Sequence, residues 1–396
     1  MSSEKTDVLV IGGGPAGSTA AFQLAKSGVS VTLIDRAAFP RDKTCGESLS
    51  PGALIRLAAI GMWKPESGQL ASSGASTDAF MPIRGMRIRS PRGTTFLGRY
   101  RVGPNGAGLA IRRTVLDAQL LASARGRGVL VMEGVEALSA ESAPGGGAVV
   151  LARSTSGATP LRIEARRVVV ADGRRSFLAR HLGFLEAFGA ASSGVRRFAV
   201  RAHCDNVAGL SDLAEMQVGE GGYCGIAPLT QSAANICYVL FRARLDMTPR
   251  TMEADFNRHL RGFPEVARRL ESARVQDTIR VIGPLRLRSR KQTQGPFIAC
   301  GDTTGFLDPF TGEGIAHAVA SGVLGAEAVR ASLDGRPEAF ADYSRKIRGL
   351  RRVKGVAALL LYGLVSRPSL ANAAAQVFSR APRLGDAAVR LFGDQV

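Results

Sequence analysis

The stretch Asp7-Val-Leu-Val-Ile-Gly-Gly-Gly-Pro-Ala-Gly17, closed by Val31-Thr-Leu-Ile-Asp35, constrains this chain more than any other. An apolar run leads straight into Gly12-x-Gly14-x-x-Gly17, a helical segment follows, and a second apolar run ends on a carboxylate. That frame predicts a strand–helix–strand unit built to hold a dinucleotide. Gly12 permits a tight turn, Gly14 lets the backbone approach a pyrophosphate, and Gly17 lets helix and strand pack closely. Pro15 and Ala16 open the helix, whose N-terminus offers unpaired N–H groups and a positive dipole end to phosphates. Asp35, with Arg36 beside it, stands where it accepts hydrogen bonds from ribose hydroxyls and repels a 2′-phosphate, which argues against NADP in this site. A lone GxGxxG also occurs as a plain glycine turn; the flanking runs favour the nucleotide.

Length and charge bound the rest. A chain of 396 residues suggests about two domains and an appendage. Met1 to Asp7 carries no apolar core of a signal peptide, so a cytoplasmic protein is expected. The longest apolar run, Val356 to Val365, falls short of the ~20 residues that span a bilayer; a transmembrane segment is not expected, but peripheral membrane contact is allowed. Five cysteines, odd in number and without a CxxC pair, fit a reducing compartment, and no metal site is expected. The net charge is +19, yet only seven of the 52 basic residues are lysine and the arginines are spread throughout. Genome base composition accounts for such a bias; the functional reading is an acidic partner, whether carrier protein, polypeptide or anionic membrane. Nucleic acid is not expected, because no basic tract is interleaved with aromatics.

Further along, a helix begins near Pro51, strand-like sequence runs from about Met81 to Val102, and a helix covers Thr114 to about Arg125. Gly145-Gly-Gly147 reads as a hairpin turn, and Arg167-Val-Val-Val-Ala171 as a strand ending at Asp172-Gly173. From Arg196 to Phe241 the pattern is long β segments punctuated by glycine. The strand Pro296 to Cys300 follows two helical stretches, and everything beyond Glu313 reads as helix broken at Pro368 and Pro382. The expected fold class is α/β: a Rossmann-like domain interleaved with a β-sheet-rich substrate domain, plus a helical C-terminal segment. The expected boundaries are 1–75, 105–190 and 290–335 for the first, 76–104 and 191–289 for the second, and 336–396 for the third.

Three separated motifs together resemble the glutathione-reductase-type FAD fold of single-component flavin hydroxylases, geranylgeranyl reductases and flavin-dependent halogenases. They are the Gly12–Asp35 unit, the segment Val170-Ala-Asp172-Gly173-Arg-Arg-Ser176, and Gly301-Asp302-Thr-Thr-Gly305-Phe-Leu-Asp308-Pro309-Phe-Thr-Gly312-Glu-Gly314. The resemblance implies FAD, with Asp302 hydrogen-bonded to the ribityl chain and Pro309, Gly312 and Gly314 bringing a helix start against the ring. It also implies that Arg113, opening an Arg-x-x-x-Asp helix, lies near the phosphates; a structural salt bridge is its rival reading. Cys45-Gly46-Glu47…Pro51 resembles the geranylgeranyl-reductase and halogenase branch and places Cys45 and Gly46 beside the flavin, Cys45 either touching the ring or merely packing under a loop.

The strip Tyr223-Cys-Gly225-Ile-Ala-Pro228 falls where halogenases show Trp-x-Trp-x-Ile-Pro and geranylgeranyl reductases Tyr-x-Trp-x-Phe-Pro. Trp63 is the chain's single tryptophan, so a halogenase strip is absent, and Gly225 leaves volume where those families place an indole. Of the lysines a halogenase would need, only Lys43 and Lys64 come into question, neither in a matching context. The lining candidates are thus Cys45, Tyr223, Gly225 and Pro309. The four histidines show no metal-ligand spacing; His203 reads as a satisfied core side chain or a base, and His317 as helix packing or a pair with Glu313. The resemblance implies an FAD-dependent monooxygenase that hydroxylates an aromatic or polyketide-like substrate through a flavin C4a-hydroperoxide. That substrate is free, carrier-bound, or a peptidyl tryptophan. Electrons come from NAD(P)H directly or through a separate flavin reductase. Reduction of isoprenoid double bonds and halogenation are the alternatives.

Overall fold

The computed structural model describes residues 2–64, 69–70, 80–102, 106–157, 160–186, 197–241, 251–306, 310 and 312–393. Strand β1 (Ser2–Ile11), helix α1 (Pro15–Lys26) and strand β2 (Val31–Asp35) form the predicted opening unit. β1 is a central strand, parallel to β2 on one side and to the strand Pro160–Val170 on the other. Leu130–Glu133 extends the sheet beyond β2. Phe297–Ala299 joins Val168–Val170 in parallel, while the hairpin Val135–Ser142 and Ala148–Ser154 turns at Gly145–Gly147 and pairs antiparallel to the start of Pro160–Val170. Both faces are buried, which is why β1 reads as a continuous apolar run rather than an alternating one. Val8 and Val10 face α1 and the helices Arg113–Arg125 and Gly314–Leu333, whereas Leu9 and Ile11 face Phe184 and Leu178.

A second sheet runs from Arg197–Asp205 through Ala234–Phe241, Gly222–Pro228 and Ala214–Gly219 to Gly85–Arg89 and Thr95–Arg99. Its alternation is clear. Cys224, Ile226, Ile236 and Tyr238 pack on the helices Met252–Leu260 and Pro264–Arg269, and Tyr223, Met216, Val239 and Ala199 occupy the opposite face. A short three-stranded sheet joins Ser48–Leu49, Gly108–Ile111 and Phe80–Ile83. It fixes the segment after Cys45 between the two larger sheets.

The C-terminal helices are Ala339–Val365, Pro368–Arg380 and Pro382–Gly393, broken at the two expected prolines. The last two pack on the strand Thr95–Arg99, where Phe96 meets Phe378 at 4.9 Å between ring centroids. Among the described residues no helix is long and apolar enough to cross a membrane.

Candidate active site

The glycine loop divides its work among its three positions. A Cβ on Gly12, whose φ is +105°, would sit 2.5 Å from the Ala171 carbonyl oxygen, and one on Gly17 would sit 1.8 Å from that of Gly12. These two glycines are required by the fold itself. Gly14 differs: among the described residues a Cβ there would meet only the Arg41 guanidinium, at 3.4 Å, and would otherwise point into an open cleft. Gly14 also caps α1 without a side-chain hydrogen bond, leaving the first N–H groups of the helix available to a ligand. The Asp35 carboxylate accepts from Gly13 N–H at 2.7 Å and from Ala37 N–H at 2.9 Å. It thereby stiffens the glycine loop, and each oxygen keeps a further acceptor direction for a sugar hydroxyl.

The cleft lies between the two large sheets and encloses about 1570 Å³, its open mouth included. Of the residues singled out in the sequence, Gly14, Pro15, Ala16, Cys45, Gly46, Arg113, Gly173, Tyr223, Gly225, Gly301, Asp302, Gly312 and Gly314 line it. Gly12, Gly17 and Asp35 are buried behind that lining, Arg36 and Asp172 are exposed beside it, and Pro309 falls outside the described residues.

One neighbour of the cleft, Arg41, carried no sequence motif of its own. Arg41 bridges Asp117 at 3.0 Å and reaches 3.8 Å from Asp35. Arg113 makes a bidentate pair with Asp117 at 2.7 and 2.6 Å, so it is at once the salt bridge and a cleft residue. Burial works against its charge, but Asp117 and the Cys45 sulfur more than offset that and raise its pKa. Lys43 also lines the cleft, its Nζ 3.0 Å from the position of a Cβ on Gly173. Burial and the neighbouring Arg113 depress its pKa, with Asp302 acting in the opposite sense. Lys64 is exposed.

Glu47, the third member of the Cys-Gly-Glu segment, is fully buried and adopts a left-handed φ of 57°. One carboxylate oxygen accepts from Arg113 N–H at 2.8 Å; the other takes Asn235 Nδ2 at 2.9 Å and His203 Nε2 at 2.7 Å. Asn235 also donates to the Cys45 carbonyl at 2.9 Å. His203 is therefore neither solitary nor in an apolar core; its Nδ1 lies 2.7 Å from Asp277. His317 pairs with Thr304, at 2.8 Å. Among the described residues no group of three His, Cys, Asp or Glu side chains is placed to hold a metal ion.

A family model described as an FAD binding domain matches residues 5–346. The chain belongs to this family. Its curated relatives include the menaquinone reductase of Mycobacterium tuberculosis, 29% identical over 99% of this chain and 92% of that protein. Another is the digeranylgeranylglycerophospholipid reductase of Thermoplasma volcanium, 28% identical over 87% of this chain and 82% of that protein. Among solved structures, the myxobacterial chondrochloren halogenase superposes with a TM-score of 0.80, at 24% identity over 99% of this chain and 90% of that one. The chain is thus a flavin-dependent oxidoreductase with the fold expected from its motifs.

The cleft fits FAD on its own evidence. Among the described residues a Cβ on Gly46 or Gly312 would meet nothing within 4 Å, so backbone lies open to a close-fitting ligand, and the start of α1 faces a cleft that also holds Lys43 and Arg113. Asp302 stands just beyond the strand Phe297–Ala299 and lines the cleft. Asp302→Ala is expected to weaken FAD binding by about 1 kcal/mol per hydrogen bond lost, roughly fivefold in Kd, in a fluorescence titration of the apoprotein. An unchanged Kd would remove Asp302 from the cofactor's contacts.

Proposed function

We propose that this protein is an FAD-dependent monooxygenase that hydroxylates a bulky, largely apolar aromatic or polyketide-like substrate in the cytoplasm. The observation that carries the reading is the cleft wall at Gly225. Gly225 lines the cleft, and the nearest atoms that a Cβ there would meet, Cys237 O and Glu215 O at 3.7 Å and Met216 Cε at 3.8 Å, are at ordinary contact distance, so a side chain is tolerated where related families place an indole and its absence widens the cleft. Around it lie Tyr223, Met216, Cys237 and Val239, an apolar surface suited to a ring or chain.

In this reading Gly14, Pro15, Ala16, Lys43 and Arg113 face the pyrophosphate, Asp302 the ribityl chain, and Gly312 and Gly314 the ring, with Pro309 in the same loop. Reduced FAD supplies two electrons and the means of activating oxygen. The rest is done by the chain. Tyr223, held edge-on against Phe310 at 4.8 Å, and the wall beside Gly225 orient the substrate and exclude water. Overall, a C–H bond, O₂, two electrons and two protons become C–OH and water. The positive surface suits a substrate on an acidic carrier or polypeptide.

A second reading, reduction of isoprenoid double bonds, is favoured by the tail. Leu359 and Leu360 on the helix Ala339–Val365 are 63% and 71% exposed, beside a stretch rich in arginine, as on a surface that rests on lipid. One experiment separates the two. Protein reduced by NAD(P)H, or by a separate flavin reductase, is mixed with air and phenols carrying chains of increasing length. Oxygen uptake matched by hydroxylated product is expected. Anaerobic saturation of a polyprenyl chain, with no oxygen-dependent product, would replace the first reading by the second.

A further inference from the structure

We propose that Glu47, His203 and Asp277 form a proton relay between bulk water and the cleft. The inference rests on FAD occupying the cleft, and not on the choice between hydroxylation and double-bond reduction. Both chemistries consume protons at a site from which water is kept out.

The three side chains make one continuous path. His203 is buried with a carboxylate 2.7 Å from each ring nitrogen: Glu47 at Nε2 and Asp277 at Nδ1. The two ends differ in what they face. Glu47 is fully buried within the cleft wall, whereas the Asp277 side chain is 34% exposed to solvent. Glu47 is held there at the expense of a left-handed backbone, a strain of the order of 1 kcal/mol that a residue serving only to fill space would not require.

The surroundings give the imidazole a partner in either protonation state. Nδ1 lies near a second class of neighbour, Arg201 Nη1 at 2.9 Å and Arg112 Nη1 at 3.3 Å. A charged ring donates from Nδ1 to Asp277, and a neutral one accepts there from an arginine while Nε2–H still donates to Glu47. Arg201 is itself paired with Asp42 at 2.5 Å and with Asp277 at 3.0 Å, and Arg280 pairs with Asp42 at 2.6 Å. Asn235 and Arg113 N–H hold the Glu47 carboxylate in place, and Gln276 N–H donates to the His203 carbonyl at 2.8 Å. Two carboxylates and two guanidinium groups thus meet the ring, and Asp42 and Arg280 extend the cluster through Arg201.

In the step itself, a proton from water binds Asp277 and passes to His203 Nδ1, while the proton on Nε2 passes to Glu47. One proton enters at the surface and one arrives at the cleft wall; only O–H and N–H bonds change.

The test follows protons instead of product. FAD-loaded protein in weak buffer with the fluorescent pH indicator pyranine is mixed anaerobically with reduced methyl viologen, which carries electrons and no protons. Two-electron reduction of the flavin then draws a proton from solution. In His203→Gln the uptake is expected to slow at least about tenfold. Azide, whose conjugate acid is small enough to carry protons into the cleft, should restore it. Asp277→Asn, nearly the same shape and at the surface, should slow uptake in the same direction, and it decides the matter if His203→Gln loses FAD. Wild-type uptake in the FAD-loaded variants would overturn the relay. So would slowed uptake that azide leaves unchanged, since the cluster would then be a structural lock between the Cys45 loop and the second sheet.

Discussion

Gly14→Val is expected to yield a folded but colourless protein. The isopropyl group projects into the cleft, where among the described residues its Cβ meets only the flexible end of Arg41, at 3.4 Å. The apoprotein should therefore keep its thermal midpoint, while the path of the pyrophosphate past the start of α1 is blocked. FAD affinity should fall by at least about a hundredfold, or ~2.7 kcal/mol, measured by titration and by visible flavin absorbance. Gly12→Ala and Gly17→Ala serve as the contrast. Their methyl groups meet backbone at 2.5 and 1.8 Å, so they should lower stability itself. Wild-type FAD content in Gly14→Val would show that the glycine turn is structural and that the cofactor lies elsewhere.

Gly225→Trp should do the opposite, sparing the cofactor and impairing turnover. The nearest neighbours of a Cβ there stand at 3.7 Å or beyond, so the side chain leaves the strand without a backbone collision and the indole is directed at cleft volume. FAD content should stay near that of the wild type. Turnover of the largest substrate should drop at least about tenfold, equivalent to ~1.4 kcal/mol of transition-state stabilisation, and small phenols should suffer less. If the largest substrate were turned over at the wild-type rate, Gly225 would not border the substrate and the proposed function would lose its main support.

What could be read in advance was whatever acts locally. The roles of Gly12, Gly14 and Gly17 are set within one turn, and the pairing of Arg113 with Asp117 follows from their spacing on a helix. The alternation Tyr223, Gly225, Ala227 follows from the pleat and placed one face of a strand correctly. Glu47 and His203 lie 156 residues apart, and His203 and Asp277 74 apart. Nothing periodic marks such a meeting, so His203 read as a core side chain or a lone base, and Cys45 drew the notice that Glu47 warranted. Arg41 was missed for a related reason, and Lys43 was weighed only as a halogenase lysine. Both sit in a loop tied to Asp35 and Asp117 through Arg41 and to the second sheet through Asp42, not marked by a pattern of its own. His317, read as helix packing or a pair with Glu313, also meets Thr304 on the short turn before the helix, a contact that no spacing announced.

The register of the first sheet also sets the order in which the protein is completed at the ribosome. β1 leaves the tunnel first, yet its partner Leu161–Val170 follows only after most of the first half of the chain. The far edge at Val168–Val170 then waits for Phe297–Ala299, with the strands of the second sheet made in between. Until that last strand docks, an apolar strand edge stands unpaired, a surface that invites misassociation. Asp302 arrives only three residues after the strand that closes the edge. If Asp302 holds the ribityl chain as proposed, cofactor capture and closure of the sheet fall nearly together, and a nascent chain short of that point lacks both a finished sheet and this contact to its flavin.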